Sequence, residues 1–195
     1  MAKTLWHIQS SFYHLFRKNP LSARILRQEN EAIKNLLQSI ADHPITTGLD
    51  IGSDRRNSLE LIPPGDASWM AIYYSNRMIR SCRKQFTNIG FVRGDARQMP
   101  FAVESFDLVL CVGVSEYLED LNRFLEEIWD LLKPGGFMVL TLAPPTFLNF
   151  FRWMIGHRIF PIRENDLRIS LDKIPYRMMA SNQTLLQHQY LLNKE

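Results

Sequence analysis

The chain has 195 residues, 46% of them hydrophobic and 22% charged, enough apolar material for one globular domain with a sizeable core. Its 23 basic and 20 acidic residues leave a formal charge of +3, too small an excess to mark a nucleic-acid footprint, so no nucleic-acid partner is expected. Cys82 and Cys111 lack CxxC spacing and a nearby His pair, which argues against a disulfide framework or a zinc site.

At the N-terminus, His7, Gln9, Ser10 and Ser11 interrupt the apolar run before it reaches signal-peptide length, and no later segment approaches about eighteen uninterrupted apolar residues. A cytoplasmic chain is expected. From Leu21 to Ile40, the residues Leu21, Ile25, Ala32, Ile33, Leu36, Leu37 and Ile40 fall on one stripe opposite Arg24, Arg27, Glu31 and Lys34, which predicts an amphipathic helix after Pro20. Thr46 to Gly52 is a short β-branched and apolar run, the profile of a strand buried on both faces. Strands are then predicted at Trp69–Tyr73, Gly90–Arg93, Phe106–Val112 and Phe137–Leu142, with helices at Asn76–Gln85 and Leu121–Leu132 and a turn at Lys133–Gly136. Ile174–Met179 and Gln187–Leu192 read as a closing hairpin.

This alternation predicts a Rossmann-like doubly wound α/β fold: a mainly parallel seven-stranded sheet, helices on both faces and an N-terminal helical extension. One domain over residues 1–195 is expected, with a helical segment at 1–43, a cofactor-binding core at 44–143, and a substrate-side lid and final strands at 144–195. In such a sheet the ligand lies beyond the carboxyl ends of the strands, so the residues to inspect are Asp50–Arg56, Tyr73–Ser75, Gly94–Ala96, Cys111–Tyr117 and Ala143–Thr146.

GLDIG at 48–52, FVRGDARQMPF at 91–101, SFDLVLCVGVSEYLED at 105–120 and LLKPGGFMVL at 131–140 together resemble class I S-adenosylmethionine-dependent methyltransferases, particularly the methyltransferase-11-like group. The resemblance runs from about Leu36 to the C-terminus and implies S-adenosyl-L-methionine as cofactor. It implies that Asp50, Gly52 and Ser53 approach the methionyl part, that Asp95 followed by Ala96 meets the adenine amino group, and that Tyr74 and Cys111 border the site. Met99 and Phe101 are candidates for contact with the base, Phe101 equally for the core.

Two features depart from the pattern. Asp54 and Arg56 stand where further loop glycines are expected. Tyr73, 23 residues after Asp50, stands where an acid accepts from both ribose hydroxyls, and losing that charged hydrogen bond weakens binding by about 1.5 to 3 kcal/mol. Asp66, only sixteen residues after Asp50, is a less suitable substitute because the crossover would be short.

Methyl transfer from a sulfonium needs positioning and exclusion of water more than a catalytic dyad. Glu116 and Tyr117, with His157 further off, are candidate bases, and Glu116 equally fits an ordinary first-turn position. The aromatic segment at 146–160 predicts a lid over a small apolar acceptor, a peripheral membrane contact, or a helix packed on the N-terminal segment. The expected function is methyl transfer to a lipid- or quinone-like acceptor. The alternatives are a non-catalytic domain acting through a protein partner, or a site holding another nucleotide near Arg55 and Arg56.

Overall fold

The computed structural model describes residues 20–52, 58–146 and 160–195. Helix α1 (Pro20–Gln38) is followed by β1 (Thr47–Ile51), β2 (Ser68–Tyr73), α2 (Asn76–Arg83), β3 (Ile89–Arg93) and β4 (Phe106–Cys111). Then come α3 (Leu121–Leu131), β5 (Leu132–Leu142), α4 (Glu164–Leu171), β6 (Tyr176–Gln183) and β7 (His188–Lys194). The seven strands form one sheet in the order β3-β2-β1-β4-β5-β7-β6. β1 to β5 are parallel, and β7 runs antiparallel to both β5 and β6, so the predicted hairpin closes this edge.

Strand alternation sends the side chains to two covered faces. Leu108, Leu110, Phe137, Val139 and Leu191 meet Ile33, Leu36, Leu37 and Ile40 of the α1 segment, the stripe predicted from helical spacing. Tyr73 and Phe91 meet Ile79 and Cys82 of α2 on the same side of the sheet. On the other side, Leu49, Ile51, Val109, Cys111, Met138 and Leu140 pack with Phe124, Leu125, Ile128 and Leu131 of α3 and Leu167 of α4. Helix α4 had no counterpart among the predicted elements.

The start of α3 is capped by Asp120, whose carboxylate accepts from the Arg123 backbone N–H at 3.0 Å. Asp120→Ala is expected to cost about 1 kcal/mol, a fall of about 2–4 °C in the midpoint of thermal unfolding followed by circular dichroism.

The described part of the first crossover carries a 3-10 turn at Leu59–Leu61. One expectation needs correcting. The predicted turn at Lys133–Gly136 is a bulge inside β5. Phe106 pairs with Leu132 and Leu108 with Phe137, so residues 133–136 stand opposite Asp107 alone. Gly135 adopts φ +75°, and a Cβ on Gly136 would lie 2.9 Å from the Lys133 carbonyl oxygen, so the bulge needs both glycines. Lys133 Nζ reaches Asp107 at 2.9 Å, while the other Asp107 oxygen accepts from Thr46 and Thr47 N–H at 2.9 Å each. The motif therefore ties the amino ends of β1, β4 and β5 together, away from the ligand end.

Candidate functional site

The strand order reverses between β1 and β4, and the carboxyl ends beside that switch point carry most of the predicted site. Asp50 is completely buried on the central strand. Since Asp50 pairs with Ala71, Tyr73 lies one step along on the same face, and its hydroxyl donates to Asp50 Oδ2 at 3.0 Å. Oδ1 is buried with no partner in hydrogen-bonding geometry among the described residues. Burial pushes the Asp50 carboxyl up to about 6, against the opposing pull of the Ser58 and Tyr73 hydroxyls. Burial, and then the charge on Asp50, push the Tyr73 phenol up as well, so it remains a donor.

Tyr73 therefore turns its hydroxyl inward, onto Asp50. It is 2% exposed, its ring stacks with Phe91 at 6.1 Å, and the Cys82 thiol lies against its oxygen. Asp66 sits just before β2, at the amino edge of the sheet, which removes it as a substitute at the other end. Gly52 takes φ +63° and donates its N–H to Ile72 O at 2.9 Å. A Cβ there would meet Val114 Cγ2 at 3.0 Å, so the glycine also lets the β4 loop pass close by. Ser53, together with Asp54, Arg55, Arg56 and Asn57, lies outside the described residues.

Beyond β3, both oxygens of Asp95 are engaged by Arg97. Oδ1 accepts from the Arg97 backbone N–H and from Nε at 2.9 Å each, and Oδ2 from Nη2. These hydrogen bonds hold the Asp95 carboxyl below the usual range. The adenine acceptor implied by the resemblance is thus covered by a residue two positions on, one that the sequence reading passed over although DAR stands in the motif. Tyr74 is 74% exposed and within electrostatic reach of Arg97. Ala96 packs on the core, Met99 is buried, and the half-buried Phe101 packs against the core, edge-on to Phe106 at 5.2 Å. Cys111 is buried in the α3-side core.

After β4, Glu116 and the half-buried Tyr117 occupy a 3-10 turn, Ser115–Tyr117, rather than the first turn of a helix. Glu116 is 3% exposed, and its carbonyl accepts from the Phe160 N–H at 2.6 Å. His157 and residues 147–159 lie outside the described residues. Ser115 donates its hydroxyl to Thr141 O, and Thr141 Oγ1 accepts from Gly113 N–H at 2.8 Å, which fixes this loop to β5.

A second buried carboxylate, Glu29 of α1, lies within electrostatic reach of Glu116. It accepts from the Thr184 hydroxyl at 2.6 Å, from the Leu186 N–H at 3.1 Å and from Gln189 Nε2 at 3.2 Å. Burial pushes its carboxyl up against those hydrogen bonds. Its signal was present in the sequence, for Glu29 stands four residues from both Ile25 and Ile33, inside the apolar stripe. Among the described residues no cluster of three or more His, Cys, Asp or Glu suited to a metal occurs, and no helix is long and apolar enough to cross a membrane.

Residues 49–140 match the family model described as a methyltransferase domain. The chain is 37% identical over 82 residues to phthiotriol/phenolphthiotriol dimycocerosates methyltransferase 1 of Mycobacterium ulcerans, a match covering 41% of this chain and 30% of that protein. It is 34% identical over 83 residues to a fatty-acid O-methyltransferase of Mycolicibacterium smegmatis, covering 42% of this chain and 30% of that one. The matched region thus spans under a third of either relative. Among solved structures, magnesium protoporphyrin IX methyltransferase from Synechocystis, with S-adenosylhomocysteine bound, superposes with a TM-score of 0.75 at 16% identity over 98% of both chains. The methyltransferase-domain match takes in just under half of the chain, residues 49–140, and those residues build the central strands of the seven-stranded sheet.

Proposed function

We propose that the chain is an S-adenosylmethionine-dependent methyltransferase acting on a small, apolar, lipid- or quinone-like acceptor in the cytoplasm. The observation that carries this reading is Asp50: a buried carboxylate at the switch point, inside the matched domain, with one oxygen that has no partner in hydrogen-bonding geometry among the described residues although the Ser58 hydroxyl acts on the group. An acceptor atom in that state suits an incoming ammonium. Asp50 would hold the methionyl end, with Gly52, Ser53 and Cys111 around it. Asp95 would take the adenine amino group once the exposed Arg97 turns outward, with Ala96 and Tyr74 alongside. The bound sulfonium supplies an activated methyl group. The protein's part is to orient the acceptor and exclude water, with Glu116 or Tyr117 receiving a proton where the acceptor must lose one. The names of the relatives support a lipid-like acceptor, and the segment 146–160 is proposed to cover it or to rest on a membrane surface.

Calorimetric titration of the chain with S-adenosylmethionine and S-adenosylhomocysteine tests this, with Asp95→Ala as control. Micromolar binding is expected, weakened about tenfold or more in the control. No binding up to millimolar concentration overturns the reading. The Tyr73–Asp50 hydrogen bond favours a second reading, a methyltransferase-fold domain without catalysis that acts through a protein partner.

A further inference from the structure

In a doubly wound sheet the group that reads a nucleoside ribose is an acid near the carboxyl end of the second strand, because a carboxylate can accept from a ribose hydroxyl while the helix turn holds the rest of the ligand. In this chain that place holds Tyr73, whose single proton is already donated to Asp50 Oδ2 at 3.0 Å. The ring is fixed from both sides by Phe91 and the α2 cluster and is 2% exposed, so the oxygen cannot reach outward without breaking the packing. No other acid stands near by along the chain: between Asp66 and Asp95 the sequence contains neither Asp nor Glu, while Arg77, Arg80, Arg83, Lys84 and Arg93 are all basic. Asp66 lies at the opposite edge of the sheet, and Asp95 is engaged by Arg97. Tyr74, next in line and 74% exposed, offers at most one phenol oxygen, with Arg97 in electrostatic reach.

We propose that this site does not discriminate the ribose diol, because Tyr73, standing where an acid would read it, turns its hydroxyl inward onto Asp50. The cofactor is then held by its two ends, the methionyl group and the base. Analogues altered at the 2′ or 3′ position are tolerated. The inference rests on the cofactor reading above.

The test is calorimetry on the full chain with S-adenosylhomocysteine and with its 2′-deoxy and 3′-deoxy counterparts. All three are expected to bind within about threefold of one another, where a carboxylate reading the diol would make the deoxy forms weaker by about ten- to a hundredfold. Tyr73→Phe is expected to leave that ratio unchanged, because the hydroxyl it removes faces Asp50. A loss of about tenfold or more with either deoxy analogue, or a ratio that changes in Tyr73→Phe, overturns the inference while binding of the parent compound keeps the cofactor reading intact. Failure of S-adenosylhomocysteine itself to bind overturns both.

Discussion

Asp50→Asn is expected to raise the thermal midpoint at pH 8 by about 5–10 °C and to leave it nearly unchanged at pH 4. The folded Asp50 carboxyl titrates at about 6, above its ordinary 3.8, because the strand core surrounds it. Between those values the folded chain holds a proton that the unfolded chain has released, so stability falls as pH rises from about 4 through about 6 and stays low above. The gap corresponds to about 3 kcal/mol. An amide cannot ionise and escapes that loss. At pH 4 the protonated acid and the amide present the same pattern: one oxygen accepting from Tyr73 and one donor without a partner in hydrogen-bonding geometry among the described residues. Thermal unfolding of both proteins at several pH values checks this, and a difference that does not grow with pH would show that Asp50 carries no buried charge. The same substitution is expected to weaken S-adenosylhomocysteine binding by about tenfold or more at pH 8, since the group that costs stability is the one proposed to meet the cofactor's cation.

Glu29→Ala is the second large effect. The side chain fastens α1 to the turn between β6 and β7, and its loss removes one acceptor each from the half-buried Leu186 N–H, from Thr184 and from the buried Gln189. The expected cost is about 2–4 kcal/mol, because groups removed from water keep their desolvation penalty when a partner is deleted. Thr184 retains the Gln187 carbonyl and Gln189 the Glu29 backbone carbonyl, which keeps the figure below that of a broken buried ion pair. Chemical denaturation should move the midpoint without changing the slope, and amide exchange should quicken in α1 and residues 184–189 ahead of β1 and β4. Unaltered exchange in both segments would remove Glu29 as the fastening.

Most of the frame was legible in the sequence because its signals are local. The helical spacing of Ile33, Leu36, Leu37 and Ile40 and the apolar runs of β1, β4 and β5 report burial residue by residue, and parallel strands follow from their alternation with helices. The glycine pair at 135–136 was legible as a chain reversal, yet it serves as a bulge, since strand pairing on both sides of Asp107 decides between the two. Helix α4 was missed because its eight residues, ENDLRISL, bury only Leu167 and Ser170 and show little apolar period.

Spacing along the chain carried the class of fold, the resemblance to methyltransferases and the positions that could meet a nucleoside. Only the tertiary structure decided what those positions do with their polar atoms. Tyr73 meets Asp50 across 23 residues, and Glu29 meets Thr184 across 155, through strands and helices whose facing side chains no local pattern encodes. A hydrogen bond is directional, so a residue's place in a motif says which groups lie near it, and the packing around it says toward which of them its proton points.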